Sequence, residues 1–243
     1  MDEREVAAVV GAGPGLGFSL ARRFARAEMN VAIAARDAAK LETMMLECCG
    51  IAHEARAYAC DATDENQVEA LFQRVCADLG EPNLVVYNAG AYVRRSIVET
   101  PAEEFERCWR ALCLGGFLVG RAAARIMERH HRPNGPARTI LFTGATASLR
   151  GSAQFHSLAV GKFGLRALAQ CMARELQPKG IHVAHVVIDG RIRPRQVIEH
   201  ANVDRGDSML DPDAVADTFF QLHRQSRSAW SLEVDLRPWV ESF

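Results

Sequence analysis

No stretch of the 243 residues stays apolar for the roughly 20 positions that a membrane-spanning helix needs. No run of lysine and arginine dominates a chain whose formal net charge is -1. A bilayer is therefore not expected as a partner, and neither is nucleic acid. The seven cysteines, at positions 48, 49, 60, 76, 108, 113 and 171, contain no C-x-x-C pair. Adjacent Cys48 and Cys49 are badly placed for an ordinary disulfide, so the set reads as reduced thiols of a cytoplasmic protein. The opening Met1-Asp2-Glu3-Arg4-Glu5 lacks the basic start and apolar middle of a secretory signal. Internal repeats and low-complexity tracts are absent as well.

What remains is an ordinary globular composition, 49% hydrophobic and 24% charged, sized for one α/β domain over residues 1–243. Apolar runs of strand length alternate with longer stretches of helical period, the pattern of a doubly wound parallel sheet with helices on both faces. Seven strands are expected, at Val6 to Val10, Val31 to Ala35, Ala55 to Ala59, Leu84 to Tyr87, Arg138 to Thr143, Ile181 to Ile188 and Trp230 to Val234. Helices are expected to begin near Gly15, Ala38, Asp64, Pro101, Ser152 and Asp211, several on capping residues. Pro82, Pro133 to Pro136 and Pro178 to Gly180 punctuate their ends. Residues 190–210 show no period and read as a substrate loop or lid.

After the first strand comes Gly11-Ala12-Gly13-Pro14-Gly15-Leu16-Gly17, opening straight into a helical pattern. Glycines let backbone approach a pyrophosphate, and free N–H groups at a helix start stabilise its charge. The loop lies between strand and helix, as a Rossmann-type dinucleotide site requires. The second strand ends in Arg36, where a guanidinium could pair with an adenosine 2'-phosphate or simply face solvent. NADP is therefore expected over NAD.

The glycine loop, Asp61 after the third strand, Asn88-Ala89-Gly90 after the fourth, Lys162 in a long helix and Gly190 after the sixth strand stand in register. On those residues the chain resembles the short-chain dehydrogenase/reductase family over nearly its full length. The resemblance implies a Rossmann fold and a homodimer or homotetramer. It also implies hydride transfer between a nicotinamide cofactor and a carbonyl or alcohol substrate. The cofactor set it implies is Gly11, Gly13, Gly15, Leu16, Gly17, Arg36, Asp61, Ala62, Asn88, Ala89, Gly90, Lys162, Gly190 and Ile192. In such proteins the aspartate touches adenine, the Asn-Ala-Gly turn supports the adenosine side and the lysine binds the nicotinamide ribose. Read without the resemblance, Asp61 could cap the following helix and Asn88 to Gly90 could be a turn.

The reaction side departs from the family. Counting from Lys162, the usual tyrosine position is Leu158 and the usual serine is Ala145, while the usual asparagine falls at Cys113. Aspartate replaces the usual proline before Gly190, and Pro194 stands where threonine often contacts the cofactor. A leucine carries no exchangeable proton, so the usual relay cannot operate; alternatives are Asp189 and Tyr92 on loops at the carboxyl edge of the strands, His156 two residues before Leu158, Thr143 and Thr146 near Ala145, and Lys162 if desolvation lowers its pKa, although ribose binding is the role expected of it. His156 is disfavoured by its two-residue offset from Leu158, which turns it to another side of the helix. Cys113 reads as a small buried hydrophobe rather than a nucleophile. Three- and four-residue spacing places Gln154, Leu158, Gly161 and Lys162 on one helical face. Two readings follow: an NADP-linked oxidoreductase with an atypical proton donor, or a catalytically silent nucleotide sensor or oligomeric scaffold. Trp230 and Trp239 so near the end imply that the last segment packs.

Overall fold

The strand runs owe their character to burial on both faces. In the computed structural model, which describes residues 4–129, 137–194 and 208–240, β1 (Val6–Val10) and β6 (Ile181–Ile188) are buried at every position. Between them lie β2 (Asn30–Ala35), β3 (Ala55–Ala59), β4 (Pro82–Tyr87) and β5 (Arg138–Thr143), with β7 (Glu233–Leu236) last. All seven are parallel in one sheet, ordered β3-β2-β1-β4-β5-β6-β7. The edge strands β3 and β7 are partly exposed, which matches their more polar sequences.

The helices are α1 (Leu16–Arg26), α2 (Glu42–Cys49), α3 (Glu65–Asp78), α4 (Ala102–Trp109), α5 (Gly115–Arg129), α6 (His156–Leu176) and α7 (Pro212–His223). Asp64 caps α3 by accepting from the Gln67 N–H, and Asp211 caps α7 through Asp213 N–H with Pro212 in the first turn. One apolar layer packs Phe18, Phe24, Leu41 and Phe219 against one face of the sheet, and the other packs Phe72, Val119, Phe142 and Leu165 against the opposite face. Each such side chain, fully buried, contributes roughly 1.5 to 3 kcal/mol.

Three expectations are corrected. The last strand begins at Glu233, not Trp230, because Trp230 lies flat on the His182 ring, 4.9 Å between centroids, and donates its indole N–H to Gln225 O. The long helix begins at His156, not Ser152, because Gln154 takes a left-handed backbone (φ 68°) that no helix propagates. Gln154 therefore leaves the helical face expected of it and instead accepts from the Arg94 side chain. Of the terminal tryptophans only Trp230 packs; Trp239 is 81% exposed. Residues 133–136 and most of the expected lid, 195–207, lie outside the described residues.

The chain leaves β1 towards β2 and β3, then returns to place β4 on the other side of β1. Loops from these strands diverge at their carboxyl ends, and that switch point opens a crevice.

Candidate functional site

The first half of the crevice is built almost entirely of backbone. Gly11 N–H and Ala12 N–H both donate to Ala34 O, at 2.9 and 3.0 Å, folding the chain sharply over the end of β2. Gly11 has φ 87°, and a Cβ there would stand 2.4 Å from the Ala89 nitrogen, so no other residue fits. Asn88 fastens the two loops, its Nδ2 donating to Gly11 O at 3.1 Å and its N–H to Val10 O at 2.8 Å.

Gly13 and Gly15 face the opposite condition, with no heavy atom within 4 Å of where a Cβ would be. Leu16 and Gly17 open α1, and no side chain caps that helix at Gly15. An open glycine surface ending in an uncapped helix start fits the pyrophosphate of a dinucleotide.

Beside this loop lies a cavity of about 790 Å³ walled by Gly11, Ala12, Arg36, Asp61, Ala62, Ala89 and Gly90. Arg36 is exposed at its rim. Asp61 does not cap α3, which is Asp64's task; its Oδ1 accepts from the Thr63 N–H and hydroxyl at 2.9 and 2.8 Å. Tyr92 also lines the cavity, as do Glu103, Arg107 and Arg110 of the α4 side, which the sequence reading missed because nothing in their spacing marks a wall. Gly190 sits against Pro238 of the tail, and Ile192 forms a bridge with Leu210, so both lie past the carboxyl end of β6.

The second half depends on side chains. Lys162 is 5% exposed and its Nζ donates to Thr143 O at 2.5 Å. No carboxylate partners it among the described residues, and burial alone pushes its pKa down to about 8. Ala145 and Leu158 are half-buried and offer no polar side-chain atom.

Between α4 and α5 the backbone widens into a π turn, Arg110–Leu114. The buried Tyr87 hydroxyl donates to Ala111 O in this turn at 2.5 Å. The turn directs Leu112 against Gly161, next to Lys162, while the Cys113 sulfur faces Gly164 further along α6. Leu112 thus faces the lysine turn, and neither residue supplies an amide. Burial raises the Cys113 thiol pKa, which accords with an inert side chain.

Of the other proton-donor candidates, Thr146 and Asp189 are engaged with each other, whereas the buried Thr143 Oγ1 and His156 Nε2 have no hydrogen-bond partner among the described residues. Asp189 accepts from the Thr146 hydroxyl at 2.5 Å and forms an ion pair with Arg237 at 3.1 Å, so its carboxylate holds the tail in place. Tyr92 is 61% exposed with its ring stacked on Phe155, and His156 stacks on Phe105. Behind Lys162 lies a group that the sequence did not flag, His185, buried beneath Gly144 and bonded to Glu233. No motif marks it, because its place follows only from the register of β6 against β5.

Comparison with known proteins matches this geometry. Residues 5–192 match the short chain dehydrogenase family. A short-chain dehydrogenase/reductase from Armillaria gallica is 30% identical over 185 residues, covering 75% of this chain and 69% of that protein. Some curated relatives are longer, the chain spanning 31% of their length. The crystal structure of a short-chain dehydrogenase from Rhodopseudomonas palustris superposes with a TM-score of 0.82 at 38% identity, covering 97% of this chain and 99% of that one. A metagenomic short-chain oxidoreductase in complex with NADP gives a TM-score of 0.81 at 25% identity, covering 96% of this chain and 97% of that one. The chain belongs to the short-chain dehydrogenase family.

Proposed function

We propose that this chain is an NADP-linked oxidoreductase acting on a carbonyl or alcohol, with Lys162 as its proton donor. The observation that carries the reading is the buried lysine itself, held at the carboxyl edge of β5 with no counter-ion among the described residues and a pKa down to about 8. A group of that acidity gives up a proton near neutral pH, which is what a general acid must do. It occupies the part of the site where Leu158 and Ala145 offer nothing.

When bound, the nicotinamide supplies or accepts the hydride. Gly13, Gly15 and the start of α1 would hold the pyrophosphate, Asp61 and Ala62 the adenine side, and Arg36 the 2'-phosphate. Gly190 and Ile192 would border the nicotinamide end. The NADP complex of the metagenomic relative supports the choice of cofactor. In carbonyl reduction the Lys162 ammonium gives its proton to the oxygen; in alcohol oxidation the amine takes it back.

Two further readings belong to the same proposal. Phe117, Val160 and Phe163 on α5 and α6 are 39 to 47% exposed, which supports a homodimer or homotetramer joined through those helices. All seven cysteines are free, and no helix among the described residues is long and apolar enough to cross a membrane, which support a cytoplasmic setting.

The test is calorimetry with NADPH, NADP⁺, NADH and NAD⁺, followed by a carbonyl and alcohol panel monitored at the nicotinamide absorbance. Tight binding of the phosphorylated forms with substrate-dependent turnover is expected. Binding with no turnover across the panel would leave the silent sensor, and no heat from any of the four would remove both readings.

A further inference from the structure

Two loops at the carboxyl edge of the sheet meet beside the first turn of α6. Ser157 is 1% exposed, and its hydroxyl donates to Val93 O at 3.2 Å and accepts from Val93 N–H at 3.4 Å. Arg95 N–H donates to Gln154 O at 3.2 Å, so the segment after β4 is pinned along the segment before α6. Arg94 and Leu158 each lie one residue from the junction of Val93 with Ser157, about 3.8 Å along the backbone. Leu158 in turn stands one helical turn before Lys162.

Arg94 is held in this corner without being neutralised. Its Nε donates to Gln154 Oε1 at 3.1 Å, and its guanidinium carbon lies 5.7 Å from the centroid of the Phe155 ring. Phe155 is stacked in turn on Tyr92, 6.0 Å between centroids, and Tyr92 lines the large cavity. A guanidinium has five N–H donors, and the four on Nη1 and Nη2 have no acceptor among the described residues. The acids of this loop and of α4 beside it are already engaged: Glu99 accepts from the Ser96 hydroxyl at 2.6 Å, and Glu104 pairs with Arg95 at 3.4 Å. Gln154 reaches Arg94 from its left-handed backbone, a strained conformation for a residue with a Cβ. A freely solvated arginine needs none of this support.

We propose that Arg94 binds the carboxylate of an oxo acid or hydroxy acid substrate whose carbonyl or alcohol carbon reacts beside Lys162. The inference rests on the oxidoreductase reading and names its substrate class. Arg95 is occupied by Glu104, so of the two arginines on this loop one charge is free, and a single carboxylate matches it better than a phosphate dianion. Anchoring at Nε leaves the planar pair of Nη groups to meet both carboxylate oxygens. The Phe155 ring covers one face of the guanidinium and keeps water from it, which strengthens its attraction for an anion. A neutral ester of the same acid keeps the carbonyl and loses the charge.

Calorimetry on protein saturated with NADP⁺ separates the charge from the chemistry, because an oxo acid and the oxidised cofactor cannot react. The probes are 2-oxobutanoate, 3-oxobutanoate and 4-oxopentanoate, each titrated beside its methyl ester. At least one acid is expected to bind tighter than its ester by roughly 10- to 100-fold. That ratio should fall to near one in Arg94→Gln and invert in Arg94→Glu. Arg94 is exposed, so the melting temperature and NADP⁺ affinity of Arg94→Gln should stay near wild type. Equal binding of acid and ester, no binding of any acid, or a preference that survives Arg94→Gln would overturn the carboxylate subsite. Oxidation of NADPH by neutral carbonyls with no preference for acids would also overturn it, and would leave the oxidoreductase reading standing. An Arg94-dependent preference in binding, with no oxidation of NADPH by any acid, would sustain the subsite and overturn the oxidoreductase reading.

Discussion

The two ends of the crevice are made of different materials. At the glycine-loop end, the loop from Gly11 to Gly17, the Asn88 turn and the start of α1 present backbone amides and bare glycines, atoms every residue possesses. At the reaction end, Lys162, Leu158, Ala145 and Leu112 project side chains from α6, the turn after β5 and the π turn, and their chemistry is entirely side-chain chemistry. A backbone site is protected by the fold itself, since a Cβ at Gly11 would collide with the Ala89 backbone. A side-chain site can lose its hydroxyls while the sheet stays intact. The difference teaches that the two halves of this architecture can vary independently, the glycine cradle being held by the fold while the side chains around Lys162 are not.

The largest effect should come from restoring the missing groups. Ala145→Ser with Leu158→Tyr places a hydroxyl and a phenol at two half-buried positions beside Lys162. A positioned acid contributes roughly 10²- to 10⁴-fold, so turnover on an accepted carbonyl should rise by about that order, with NADPH affinity unchanged. Equal turnover in both proteins would show that Lys162 already supplies what the phenol would. A change in cofactor affinity would break the separation between the two ends.

Next in size is the cost of burying the Lys162 charge. Its folded pKa of about 8 lies below the ordinary lysine value of 10.5, and burial is the cause. Below pH 8 both folded and unfolded states are protonated, and the folded state bears the full desolvation penalty. Between pH 8 and 10.5 the folded state releases its proton first, so stability rises with pH through that window. In Lys162→Met that rise is absent. Urea unfolding of the two proteins should therefore show their stability difference moving in favour of wild type by up to about 3 kcal/mol across the window. A pH-independent difference would mean that Lys162 is solvated and ordinary.

The sequence made the backbone half legible because its demands are local. Gly11, Gly15 and Gly17 follow one strand and precede one helix, and Asn88 to Gly90 follow another strand, so spacing alone locates them. The alternation of apolar runs gave four strands their bounds to the residue. Where local signals misled, a tertiary contact won: Trp230 lies on His182 instead of entering β7, and the left-handed Gln154 delays α6. His185 was invisible for the same reason. It reads as one more residue of a buried strand, and only the pairing of β6 with β5 and β7 places it between Gly144 and Glu233. Leu112 stands at the lysine turn because the helix widens there, which a regular 3.6-residue count does not anticipate.

The smallest effect sharpens the comparison from the other side, because Arg36 is a side chain at the end otherwise built from backbone. It lines the cavity, is exposed, and lies one residue beyond Ala35 at the close of β2. The pyrophosphate needs only amides, but a 2'-phosphate carries extra charge that backbone alone distinguishes poorly, and a guanidinium fork is suited to it. Arg36→Ala should weaken NADPH by about tenfold, equivalent to about 1.4 kcal/mol, and leave NADH unchanged. Parallel calorimetric titrations read the ratio directly. If both cofactors weaken together, Arg36 supports the loop rather than the phosphate. If neither changes, discrimination resides elsewhere in the cavity wall, where Arg107 and Arg110 are the remaining cations.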